Sequence, residues 1–164
     1  MALEIERKFL VKGNAWQAGE PGLPIRQGYL CAGGRALVRV RTYGAAAFLT
    51  VKGDKQGFVR AEFEYPIPFA DAVEMLDTLC QRPLIEKTRY ERTFGGHTWT
   101  IDVFVGDNAG LTLAEIELSA ADERIELPPW AGREVTADPR FLNARLVERP
   151  FQAWPEAERR AILP

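Results

Sequence analysis

Histidine occurs once in this chain, at His97, and cysteine only twice, at Cys31 and Cys80. Two cysteines outside any Cys-x-x-Cys pair give no disulfide framework, and each reads as a small buried apolar residue. His97 falls in the Gly-Gly-His-Thr-Trp stretch and reads as a turn or surface residue. No apolar run approaches the ~20 residues that a membrane helix needs. Carboxylates follow Met1 almost at once, which is not the pattern of a signal peptide. These absences together predict a protein of the reducing cytoplasm with no membrane partner. A basic excess is missing too: 21 Lys and Arg stand against 23 Asp and Glu, for a net charge of −2. That argues against non-specific binding to nucleic acid. Gly-x-x-x-x-Gly-Lys-Ser/Thr does not occur, so any phosphate would be held by side chains rather than by a backbone loop. There is no internal repeat, low-complexity segment or long linker. The 164 residues therefore read as one domain, 1–164, large enough for a real core.

What the chain does have is alternation. Short strands are predicted at about 3–11, 25–31, 36–43, 47–52, 58–67, 85–93, 98–105 and 111–118. Turn signals separate them at Gly33-Gly34, at 53–57, at Gly95-Gly96 and at 106–110, and turns this close favour antiparallel hairpins. One helix interrupts the series at 69–81, where Phe69, Ala72, Val73, Leu76, Leu79 and Cys80 recur at helical spacing ahead of Pro83. The last third, 119–164, predicts a helical segment, with helices near 139–148 and 155–163.

A strand sends successive side chains to opposite faces. In Glu-Ile-Glu-Arg-Lys-Phe-Leu-Val (4–11), Glu4, Glu6 and Lys8 share one face. The later strands repeat this with Arg39 and Arg41, with Lys52, with Arg60, Glu62 and Glu64, with Lys87 and Arg89, with Asp102, and with Glu115 and Glu117. Seven of the eight predicted strands thus carry charges grouped on a single face, and the residues named are seven acids and seven bases. A sheet with one wet face and one covered face would also alternate. The same-sign pairs point elsewhere: Glu-x-Glu three times, Arg-x-Arg and Lys-x-Arg. Like charges two apart repel, and a sheet gains nothing from them unless a counter-ion sits between. The expected fold is therefore mainly β (α+β): a closed eight-stranded antiparallel β-barrel with a charged interior and helices packed on the outside.

Such a lining needs guests of both signs. Paired carboxylates without imidazole or thiolate select hard cations, Mg²⁺ or Mn²⁺. Guanidinium and ammonium groups suit phosphate, and so many of them suit a chain of phosphoryl groups. A metal–polyphosphate complex enclosed this way is set up for phosphoryl transfer.

The opening Glu-x-Glu-x-Lys, followed in order by Arg-Gln-Gly-Tyr-Leu (26–30), Arg-Val-Arg (39–41), Thr-Val-Lys-Gly (50–53), Glu-Phe-Glu (62–64), Glu-Lys-Thr-Arg-Tyr (86–90), Ile-Asp-Val-Phe (101–104) and Glu-Ile-Glu-Leu (115–118), resembles the triphosphate tunnel metalloenzymes, the CYTH superfamily. Residues 128–141 also look like the segment after the barrel in small bacterial members. The similarity is greatest to the single-domain enzymes that hydrolyse inorganic tripolyphosphate to pyrophosphate and phosphate. The resemblance implies that Glu4, Glu6, Glu115 and Glu117 hold divalent metals, with Asp102, Glu62 and Glu64 as further ligands or water-orienting groups. It implies that Lys8, Arg39, Arg41, Lys52, Lys87 and Arg89 grip phosphate, with Arg60 a weaker member, and that Tyr29 hydrogen-bonds a phosphate oxygen. Tyr29 equally reads as a packed strand aromatic. Lys8 would stabilise the attacked group or protonate the leaving oxygen. The same fold hosts class IV adenylyl cyclases and thiamine or nucleoside triphosphatases, and a non-catalytic polyphosphate-binding module is a further alternative. The expected partner is a small polyanion; a homodimer, and a C-terminal helix closing the tunnel, stay open.

Overall fold

The computed structural model describes residues 5–33, 36–53, 61–120 and 122–162. Nine strands and three α-helices follow in the order β1 (Ile5–Val11), β2 (Leu23–Gly33), β3 (Ala36–Tyr43), β4 (Ala46–Gly53), β5 (Glu62–Pro66), α1 (Phe69–Thr78), β6 (Ile85–Phe94), β7 (His97–Phe104), β8 (Thr112–Leu118), β9 (Ala131–Glu134), α2 (Asn143–Glu148) and α3 (Glu156–Arg160). All eight predicted strands are present, and every pairing is antiparallel. Between β6 and β7 the turn takes Gly95 at φ +58° and Gly96 at φ +77°. Two successive positive φ values are what a tight twisted hairpin demands and what only glycine adopts without strain.

The alternation predicts eight strands closed into a barrel; the structure has nine in one open sheet, in the order β5-β4-β3-β2-β6-β7-β8-β1-β9. The ninth, β9, pairs with the outer edge of β1, with Phe9 opposite Glu134 and Val11 opposite Ala131. It takes the free edge of β1, and among the described residues no hydrogen-bonded ladder joins β5 to β9. The sheet nonetheless curls. Arg89 on β6 reaches Glu115 on β8 at 3.8 Å, across the intervening β7. A flat sheet would hold strands two apart at roughly 10 Å. The charged face is the concave one, and the molecule is a trough rather than a sealed tunnel.

Three apolar clusters fix this shape. On the convex face of β1, β7 and β8, Phe9, Trp99, Ile101 and Ile116 pack under Trp16 and Trp130. On the convex face of β3 and β4, Val40 and Ala47 pack under Ala72, Leu76 and Cys80 from α1 and its C-terminal end. Gly28 on β2 permits that approach, since a Cβ there would lie 2.6 Å from the Cys80 Cβ. The stripe predicted for this helix is narrower than expected: Phe69 is 45% and Leu79 64% exposed. At ten residues α1 is shorter than the predicted span, and Leu79 falls just beyond its end.

The third cluster answers what the sequence leaves open, whether the C-terminal segment closes the tunnel, and departs from helices packed only on the outside. Leu10, Ile85, Phe104 and Leu113 share the concave face with the charged residues and are buried by Phe141, Leu146, Phe151 and Trp154. The segment after β9 therefore fills one end of the trough as a floor. Asn108, in the turn before β8, fastens it: the side chain accepts from the Phe151 N–H at 2.8 Å and donates to the Leu146 carbonyl at 3.4 Å. No helix among the described residues is long and apolar enough to cross a membrane.

Candidate functional site

The concave face has two charged walls. The first comprises β1, β8, β7 and β6. Register sets Lys8 opposite Glu115 and Glu6 opposite Glu117, and the Lys8 Nζ lies 3.0 Å from Glu115 and 3.9 Å from Glu6. Burial works against the Lys8 ammonium, but Glu115 and Glu6 outweigh it, and the pKa stands above the ordinary lysine value. Next along the wall, Asp102 takes Lys87 at 2.6 Å and the Arg89 Nε and Nη2 at 2.7 Å each. The side chains of Lys87 and Asp102 are only 1% and 2% exposed. Burial pushes the Asp102 carboxyl up, yet the charge of Lys87 and the hydrogen bonds from Arg89 hold it down at about 2. Burial pushes the Lys87 ammonium down, with Asp102 opposing and Arg89 adding to the effect.

The second wall comprises β3, β4 and β5. Glu64 receives Arg39 at 3.2 Å and Arg41 at 3.3 Å, and Lys52 pairs with Glu62 at 2.9 Å. These pairs leave cationic capacity over. The Nε atoms of Arg39 and Arg41 are buried and have no hydrogen-bond partner. Burial pushes the Arg41 guanidinium below its ordinary value, and the neighbouring charges of Arg39 and Arg89 push it further. Buried donors left unpaired beside mutually repelling cations are costly; an anion with several oxygens would satisfy all of them.

Between the walls lies β2. It presents Tyr29, buried on the concave face opposite Arg39, and Gln27, opposite Arg41. Gln27 donates to the Tyr29 hydroxyl at 3.3 Å. The structure thus places Tyr29 both in the packed cluster and on the site face. His97 lies on the convex side and bonds Glu123 at 2.8 Å. Glu4 and Arg60 lie outside the described residues.

Several participants carry no charge and so escaped the parity argument: Gln27, Thr50 and Asn143. Thr50 donates to Glu64 at 2.8 Å and accepts from Arg39 at 3.1 Å. Asn143, the first residue of α2, accepts from Lys87 at 3.4 Å, and the Phe141 carbonyl accepts from Lys8 at 3.4 Å. The C-terminal floor therefore touches both buried lysines, which places Lys8 and Lys87 together at the closed end. A sequence signal for Asn143 exists only in hindsight, as an amide heading a short helix whose cap residue is Leu142.

For a cation, Glu6, Glu115 and Glu117 offer oxygen donors on the adjacent strands β1 and β8. Among the described residues no three His, Cys, Asp or Glu side chains are already gathered around one point, and Glu6 and Glu115 engage Lys8 instead. An all-oxygen set of this kind fits a hard divalent ion and not a soft one.

Residues 2–149 match the CYTH domain family. The inorganic triphosphatase of Acetivibrio thermocellus is 46% identical over 156 residues, which cover 95% of this chain and 100% of that protein. The inorganic triphosphatase of Nitrosomonas europaea is 38% identical over 148 residues, 87% of this chain and 95% of the relative. The crystal structure of the inorganic triphosphatase NE1496 superposes with a TM-score of 0.68 at 35% identity, covering 90% of this chain and 95% of that one.

Proposed function

The chain belongs to the CYTH domain family, and on that premise we propose that it hydrolyses inorganic tripolyphosphate to pyrophosphate and phosphate with the help of a divalent cation, Mg²⁺ or Mn²⁺. The observation that carries this reading is the pair of buried, unpartnered guanidinium Nε atoms on Arg39 and Arg41, facing a trough whose opposite wall is lined by Lys8, Lys87 and Arg89. The shared name of the relatives at 46% and 38% identity supports the inorganic substrate. Free thiols at Cys31 and Cys80 suit a reducing compartment such as the cytoplasm.

The bases divide the work by position. Lys8 and Lys87, at the floor, meet the terminal phosphoryl group, while Arg39, Arg41, Lys52 and Arg89 hold the rest of the chain by charge-assisted hydrogen bonds. Lys8, whose charge is opposed by burial and supported by Glu115 and Glu6, acts as a cation toward the phosphoryl oxygens. Asp102 keeps Lys87 and Arg89 in place. Water attacks the terminal phosphorus in line, the bond to the bridging oxygen breaks, and pyrophosphate leaves with its new charge met by the arginines. Glu6, Glu115 and Glu117, together with Glu4, are the carboxylates that would hold the cation. Its chemistry when bound is to neutralise phosphoryl oxygens and lower the pKa of the attacking water.

The test is a hydrolysis panel of tripolyphosphate, ATP and thiamine triphosphate with Mg²⁺, with Mn²⁺ and with chelator. The expected result is phosphate and pyrophosphate from tripolyphosphate, abolished by chelation. Cyclic AMP from ATP with little release from tripolyphosphate would overturn the reading.

A further inference from the structure

One strand carries a gradient that the reaction does not use in full. Along the concave face of β6 the residues run Ile85, Lys87, Arg89, Glu91 from floor to rim. The first two are buried and the last is exposed. Glu91 lies one same-face step, about 7 Å, beyond Arg89. It is not left to wander: the Tyr43 hydroxyl, from β3, donates to its Oε1 at 3.2 Å and spans the end of β2 to do so. Tyr43 lies opposite Ile25 on β2, and Ile25 lies opposite Lys87 on β6, so the pair borders the cationic lining. Arg92 does not neutralise the carboxylate. Its guanidinium goes to the main-chain carbonyls of Trp16, Gln17, Glu20 and Glu91 instead.

We propose that Glu91, held at the rim by Tyr43, sets the length of phosphate chain the trough accepts, favouring three phosphoryl groups over four or more. This rests on the triphosphatase reading above. The floor of Phe141, Leu146 and Trp154 closes the other end, so a longer chain anchored on Lys8 and Lys87 extends away from the floor, toward the rim where Glu91 stands. Each added phosphoryl group brings a negative charge to the strand position where the lining turns from basic to acidic. Glu6 and Glu117 are also acidic and rim-facing, but they belong to the wall proposed to hold the cation. Glu91 is the acid on the concave face of the cation-bearing β6. One like charge about 7–10 Å away, in a half-solvated setting, changes relative affinity by about three- to tenfold.

The experiment compares kcat/KM for tripolyphosphate and tetrapolyphosphate in the wild type, Glu91→Gln, Glu91→Asp and Tyr43→Phe. Glu91→Gln is expected to raise the tetra-to-tri ratio about three- to tenfold while tripolyphosphate turnover stays within about twofold. Glu91→Asp retains most of the wild-type ratio, and Tyr43→Phe shifts it in the same direction as Glu91→Gln by less. The effect of Glu91→Gln shrinks in about 0.5 M salt, as a screened rim charge must. An unchanged ratio in Glu91→Gln, or equal losses on both substrates, overturns the proposal. If the wild type turns over neither chain, the functional reading fails separately. Calorimetric affinities of the two chains for wild type and Glu91→Gln then decide the length rule by the same ratio.

Discussion

The wall of β1, β6, β7 and β8 and the wall of β3, β4 and β5 display the same charged residue types on the same concave face, yet they are built to opposite ends. In the first, acids and bases answer one another: Asp102 holds Lys87 and Arg89, and Glu115 holds Lys8. In the second, Arg39 and Arg41 converge on the single carboxylate of Glu64 and keep buried donors unmet. A satisfied buried network is rigid and fixes where its groups point. An unsatisfied one stores a demand that a ligand relieves. The first wall therefore reads as the place where chemistry is aligned, and the second as the place where the polyanion is gripped.

The largest effect that would break this contrast is on the first wall. Lys8→Ala and Glu117→Gln should each lower kcat for tripolyphosphate by at least about 100-fold, the scale of losing one preorganised electrostatic contact. Glu117→Gln, at an exposed position, should leave the thermal midpoint nearly intact, whereas Lys8→Ala should lower it as well, because it strands the Glu115 carboxylate. Steady-state rates beside thermal melts would check this, and undiminished rates in both would remove the first wall from the reaction. Asp102→Asn should act on stability as well, by about 3–5 kcal/mol in urea unfolding, because it strands two buried cations. Its pH signature has a definite sign. The folded carboxyl sits at about 2, against ~3.9 in an unfolded chain. Its contribution is complete above the unfolded value and is lost as pH falls toward the folded one. The wild type should lose stability across that window, and Asp102→Asn should lose less. On the second wall, Arg41→Ala should raise KM about tenfold with kcat changed less, the mark of a contact made before the transition state. The unliganded protein should barely notice, since burial and Arg39 already disfavour that charge. The thermal shift produced by tripolyphosphate should fall with it. Smallest of all, Asn143→Leu should cost about two- to fivefold in kcat, the worth of one modest hydrogen bond, and Asn143→Gln should recover part of it.

Most of the trough is legible in the residues because β structure has a period of two. Lys8, Arg39, Arg41, Lys52, Lys87, Arg89, Asp102 and Glu115 fall on one face by parity alone, and the structure gathers them there. The described part of the opening strand behaves as its alternation predicts, with Phe9 buried on the far side. The rest fails for physical reasons. Four-residue β9 has too few positions to show a period, and it follows Pro128-Pro129, which read as an irregular stretch. Barrel closure depends on whether two edges find each other, which no property of a single strand records. Helices in the last third bury Phe141, Leu146 and Phe151, but an apolar stripe does not say which face of a sheet it will cover. Gln27, Thr50 and Asn143 joined the site unseen because they are neutral, and the pattern that revealed the site was made of charge.

The open sheet has a consequence for whatever binds. With β5 and β9 as the end strands, the two walls are joined among the described residues by the ladders of β2, which pairs with β3 on one side and β6 on the other, like a book held at its spine. A polyanion touching both covers becomes a clasp as well as a cargo. Backbone amides of β5 and β9, far apart in the order of strands, should then slow their hydrogen exchange together when the trough is filled.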